Sequence, residues 1–360
     1  MSVRDLRTPV FAYLASRCAV VVAMWFADQV LPIRFADLAK SWDGSWYYTI
    51  AVSGYPRAVP EVGDLVVQSP LGFFPLFPMA ARMFGSLPGV GPLTAGVLIS
   101  LVGGLITTVL VWRIAERIWD LHTANRSAVL FAFFPGSFVF SIPYSEGLML
   151  VLTAGCLLLL HEQRWLLAGM LGALATATRP NALALVPAAA VAAFLAVRSQ
   201  RRWSALVAPA LVPLGFVAFH VFLRTHTGRW DAYLRTQSDG WGQHMSLMTT
   251  PDLLRKFLER PFDNTNIAIY VMGLVLGLTA FAFLVRSGAP AYLLAYTASI
   301  LVLCITSTGL SPRFLLTAFP LVYGLAHRLK PQALGIAVGT EAAVLGTLTF
   351  VTLTTLLVTP

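Results

Sequence analysis

Apolar runs of about 20 residues recur along nearly the whole chain, and each is long enough to cross a hydrocarbon core of roughly 30 Å as a helix. A segment inside that core must satisfy its own backbone hydrogen bonds, which leaves helices or closed barrels. Hydropathy predicts helical spans near 9–32, 93–112, 126–142, 145–160, 165–178, 182–197, 204–224, 266–285, 290–308, 314–327 and 332–358, about eleven in all. The expected fold is therefore all-α, a polytopic transmembrane helical bundle forming one integral membrane domain over residues 1–360. Composition agrees: 57% of residues are hydrophobic and 11% charged, against about 25% charged in soluble domains.

One apolar stretch does not fit a span. Gln68 to Gly85, QSPLGFFPLFPMAARMFG, carries Pro70, Pro75 and Pro78 in its first half. Three prolines so close together exclude a regular spanning helix. The stretch is expected to be re-entrant or interfacial, within a first extracytoplasmic loop covering 33–92. A second long polar loop, 225–265, contains PDLLRKFLER (Pro251 to Arg260), an amphipathic piece expected to lie along the interface.

Charge orients the bundle. Arg4 and Arg7 precede the first apolar run with no small-residue cleavage site after it, which reads as a retained anchor with a cytoplasmic N-terminus. On that topology the inner segments hold twelve basic residues against four acidic ones, as the positive-inside rule predicts for a multi-pass plasma-membrane protein. The net charge of +9 is thus explained by topology, and no nucleic-acid partner is needed. Cys18, Cys156 and Cys304 are scattered through apolar segments and offer neither a disulfide framework nor metal-ligand spacing. The six His form no metal-ligand pair either. An Arg-rich, Lys-poor basic set in an Ala/Leu/Val background suggests a GC-rich genome such as an actinobacterium.

The same topology places every polar cluster of interest on the outer face: SWDGSWYY (Ser41 to Tyr48), FFPLFP, PYSE (Pro143 to Glu146), RPN (Arg179 to Asn181), the long loop and SPR (Ser311 to Arg313). Each has two readings. Trp42, Trp46 and Tyr47 fit an interfacial aromatic belt, and Asp43 would make a good N-cap for a helix ended by Gly54 and Tyr55-Pro56. Alternatively Asp43 projects into a cavity at the membrane edge, with Trp46 and Tyr47 stacking on a ligand. Glu146 suits the positive end of a helix dipole. Arg179 could snorkel to the surface. Arg313 opens a span where the dipole disfavours a cation, which points to an anionic ligand.

Taken in order, WDGSWYYTIAVSGYP, SPLGFFPLFP, FFPGSFVFSIPYSEGL, ATRPNALAL and TGLSPRFLLTAFPL resemble the PIG-V family of polytopic mannosyltransferases, within the GT-C superfamily of lipid-linked-sugar glycosyltransferases. The resemblance runs from about Ala39 to Tyr323. It implies a GT-C fold, with an acidic residue of the first extracytoplasmic loop as catalytic base; the matching residue is Asp43. By the same matching Glu146, Arg179, Asn181 and Arg313 line the site. Ala182 and Phe314 depart from the family pattern, where a glycine and an aromatic hydroxyl are expected.

This resemblance fits the chemistry of the residues. No nucleotide sugars exist outside the cytoplasm, and the chain lacks the Asp-x-Asp motif that would hold a metal on a nucleotide diphosphate. A sugar drawn from a lipid carrier needs a base for the acceptor hydroxyl, cations for the departing lipid phosphate and a groove open to lipid. The expected activity is inverting transfer of mannose from polyprenyl-phosphate-mannose to a glycan, glycolipid or protein acceptor, with Asp43 as base and no metal or cofactor. A lipid or sugar transporter or flippase would also place Arg and Glu near helix breaks, but predicts inverted repeats and midplane charges. A catalytically inactive scaffold of the same fold is the third reading, and the presence of Asp43 argues against it.

Overall fold

Proline positions decide where the apolar runs become straight helices and where they break. A computed structural model describes residues 6–31, 42–63, 65–261, 263–306 and 311–355. Ser41, residues 308–310 of the TGLSPR stretch, and the expected ends of the first and last spans lie outside them. Among the described residues, six helices are long and apolar enough to cross a bilayer: Arg7–Val30, Gly91–Ile118, Pro180–Gln200, Trp203–Thr227, Thr265–Arg286 and Pro331–Thr354. The protein is a multi-pass helical membrane protein; its only described strands are the two-residue pair Glu61–Val62 and Leu65–Val66.

The remaining apolar runs are helical but shorter or broken. The run expected as a span at 126–142 is the end of helix Leu121–Phe133 followed by a 3-10 segment, Pro135–Ser141. That segment then turns by 111° into helix Glu146–His161. Pro135 and Pro143 cause the break, since neither can donate to an α-helical ladder. The run at 314–327 is likewise divided, into Pro312–Thr317 and Leu321–Arg328, with Pro320 between. Gln68–Gly85 forms no spanning helix, as its prolines predict. A 3-10 turn, Pro70–Gly72, leads into helix Leu76–Gly85, whose ten residues reach only about 15 Å.

Large side chains such as Trp112, Phe131, Phe140, Tyr296 and Phe319 fill one continuous core between these helices. Outward-facing residues of the first helix, among them Phe11, Val21 and Trp25, are exposed and apolar, as a lipid-facing surface requires. A smaller cluster of Leu71, Phe74, Phe219, Leu223 and Ala232 pins the proline-rich stretch to the Trp203–Thr227 span. The expected sidedness has a direct test. With Cys18 replaced, since it is exposed, a cysteine at Ser238 should label from outside with an impermeant thiol reagent. One at Ser199, across the Trp203–Thr227 span, should label only after permeabilisation; labelling of both from one side would refute the topology.

Candidate active site

The stretch WDGSWYY forms the helix Asp43–Ser53, ended as expected by Gly54, whose φ of 80° suits a residue without Cβ. Asp43 is not its N-cap. Trp42 occupies that position, with φ 55° and ψ −133° and no side-chain hydrogen bond. Positive φ is strained for so bulky a residue, and such strain persists only where the surroundings enforce it. Asp43 is the first helical residue, and its Oδ2 instead accepts a hydrogen bond from Arg313 Nη2.

Arg313 is the hub of a buried ionic network. Its Nε donates to Glu146 Oε1, and its guanidinium lies 4.5 Å from the centre of the Tyr144 ring. Arg179 Nη1 donates to the same Glu146 oxygen at 2.8 Å and to Ser145 Oγ at 3.2 Å. Arg179 therefore does not snorkel: it points into the protein with its side chain only 14% exposed. Glu146 opens its helix as the dipole favours, but at 1% exposure its charge is balanced chiefly by the two arginines. Its second oxygen, Oε2, is buried without a partner among the described residues. Asp43 is the most open member of the network, at 22% side-chain exposure.

Local structure explains why these four side chains meet. Pro143 and Pro180 each stop one run and start the next with a turn, so Glu146 and Arg179 sit at helix ends. Ser100 Oγ, on the long Gly91–Ile118 helix, lies 2.7 Å from the Tyr144 carbonyl and accepts the Tyr144 N–H at 3.2 Å, which fastens the PYSE turn. Tyr47 Oη and Ser145 Oγ share a hydrogen bond of 2.6 Å, joining the Asp43 helix to the same turn.

Aromatic side chains wall the site on one side. Trp46 is stacked on Phe73 with centroids 6.0 Å apart and meets Trp241 edge-on at 5.6 Å. Tyr47 packs against Phe73 and Phe77. A narrow crevice follows the same helix, lined by Gly44, Tyr48, Ala51, Phe77, Ala81 and Gly96 among others. The structure thus brings together Asp43, Glu146, Arg179 and Arg313, with Trp46 and Tyr47 beside them. Asn181 stands two residues beyond Arg179, and neither of its buried amide atoms has a partner among the described residues. Sequence reasoning missed Ser145, Tyr144 and Trp241. The first two lay in the quoted PYSE turn, but nothing in the sequence marked Trp241, which a long loop delivers from a distance.

This arrangement, a helical membrane bundle with an acid at the head of a short helix after the first span, has the fold of the GT-C membrane glycosyltransferases. A family model described as dolichyl-phosphate-mannose-protein mannosyltransferase matches residues 69–225, under half of the chain. No curated protein matches in sequence. Among solved structures, ArnT from Cupriavidus metallidurans in the apo state aligns with a TM-score of 0.52 at 14% identity, over 81% of this chain and 55% of that one. The same enzyme bound to undecaprenyl phosphate gives 0.51 at 14% identity, over 82% and 56%. An oligosaccharyltransferase from Archaeoglobus fulgidus aligns at 0.48 and 13% identity, over 94% and 55%. The chain spans about half the length of these solved chains.

Proposed function

We propose that the protein is an inverting mannosyltransferase of the PIG-V type, using polyprenyl-phosphate-mannose at the outer face of the plasma membrane. One observation carries the reading: a partly open carboxylate, Asp43, pairs with Arg313, which shares the buried Glu146 with Arg179. In a single displacement Asp43 accepts the proton of the acceptor hydroxyl while that oxygen attacks the anomeric carbon. The bond from that carbon to the phosphate oxygen breaks, and the electron pair leaves with polyprenyl phosphate. Arg313 and Arg179 stabilise the charge that develops on the departing phosphate. The shared fold with ArnT, solved bound to undecaprenyl phosphate, supports a lipid-phosphate donor. The matched family description and the motif resemblance support mannose.

The test is transfer by purified protein in nanodiscs, supplied with synthetic polyprenyl-phosphate-mannose and a membrane glycan extract. The expected result is release of polyprenyl phosphate with mannose appearing in the extract in inverted configuration. Transfer from a nucleotide-mannose, or retention of configuration, would overturn the reading.

A further inference from the structure

Arg17 is the eleventh of the 24 residues in the first span, a depth at which an unpaired cation is costly and rarely without a role. It is 7% exposed, and among the described residues no carboxylate pairs with it. The guanidinium is satisfied instead by neutral oxygens. Nη1 donates to the Ser137 carbonyl at 2.7 Å and to Ser141 Oγ at 3.1 Å. Nη2 donates to Ser137 Oγ at 2.8 Å and reaches the Ala132 carbonyl at 3.5 Å. Ser16 Oγ accepts at 3.3 Å, and the Tyr13 and Phe140 rings lie 5.1 and 5.8 Å from the guanidinium carbon. Most of these partners belong to the 3-10 segment Pro135–Ser141. Seven residues is long for that geometry, whose weak hydrogen bonds seldom sustain more than three or four. A planar fork of five donors can hold such a segment from outside, and an ammonium group cannot reproduce it.

The segment so held is the seat of Arg313. Gly136 lies against Pro312 and Arg313, where a Cβ would overlap the Pro312 carbonyl and come within 2.9 Å of the Arg313 nitrogen. The far end of the segment runs directly into Tyr144, under the Arg313 guanidinium, and Glu146, which pairs with it.

We propose that Arg17 is a positioning residue: from within the first span it fixes the Pro135–Ser141 segment, and through Gly136 and the PYSE turn it sets where Arg313 meets Asp43 and Glu146. Its effect on turnover rests on the transferase reading; its effect on placement does not. The experiment compares Arg17→Lys, Gly136→Ala, their double variant and the milder Ser141→Ala, which removes one acceptor. Backbone hydrogen exchange is read in nanodiscs alongside transfer kinetics.

Arg17→Lys should speed exchange in two places, 135–146 and 312–317, and lower kcat by roughly 10², the scale of a misplacement of about 1 Å. The donor KM should stay within about threefold, because Arg179 still engages the phosphate. The double variant should be no slower than the slower single, since both changes act through one contact. If Arg17→Lys fails to fold, Ser141→Ala carries the same two expectations in smaller degree. Exchange that rises only at 135–146, or multiplicative losses in kcat, would overturn the proposal. Should the wild type transfer nothing, the transferase reading fails and the exchange arm alone decides the role of Arg17.

Discussion

Replacing Asp43 by Asn should lower mannose transfer by roughly 10² to 10⁴, the usual contribution of a general base, while the protein stays folded. Asn has nearly the size of Asp and can still accept from Arg313 through its amide oxygen, but it cannot take the acceptor proton. The structure favours a small stability cost. Asp43 is the partly solvated end of the network, and Arg313 keeps its bond to Glu146 when the Asp43 charge is lost. A shift of about 1 kcal/mol or less is expected, as for a partly exposed ion pair. The measurement is turnover with synthetic polyprenyl-phosphate-mannose beside a thermal melt of both forms. Turnover within about threefold of wild type would remove Asp43 from the chemistry and leave WDGSWYY as an aromatic belt.

The two arginines should separate, although both are expected to face the leaving phosphate. Arg313→Gln strips the hub from a site where Glu146 is 1% exposed and Asp43 stands beside it. Removing one partner of a buried pair leaves an uncompensated charge, which costs about 3–5 kcal/mol. This variant should therefore lose both its melting transition and its activity. Arg179→Gln leaves the Arg313–Glu146 pair intact, and the lost cation is itself 14% exposed. Its folded yield should stay near normal while kcat/KM for the donor falls by roughly 10² to 10³, the loss seen when one stabilising donor is removed from a developing oxyanion. Melts and initial rates on the same preparations decide it. Equal losses of stability for the two variants would show that Glu146 does not bind them as the network implies.

From the sequence alone each arginine sits beside a proline at the edge of an apolar run, Arg179 free to snorkel and Arg313 placed where the dipole calls for an anion. Packing sets their actual partners, by seating Arg313 between two carboxylates and Arg179 against one. Asp43 shows the same limit. Its helix, with Gly54 and Pro56 at the end, was legible because helix stops are local chemistry. That its carboxylate would leave the N-cap role to Trp42 was not, since the competing partner, Arg313, is 270 residues away. Trp241 and Arg17 belong to the same class: their roles come from contacts that no local pattern encodes.

What the sequence determined by itself was the solvent, the helical class, the break in Gln68–Gly85, and the acid, arginine and aromatic groups available. The length and apolarity of a run, and the missing N–H of proline, act within one segment and need no knowledge of the rest. The tertiary structure alone decided that the Asp43, Glu146, Arg179 and Arg313 turns share one buried site. It also decided that Pro135–Ser141 and Pro312–Thr317 are short braced pieces of helix. A buried charge is stable only where a partner from elsewhere in the chain reaches it, and that partner is chosen by the packing of whole helices.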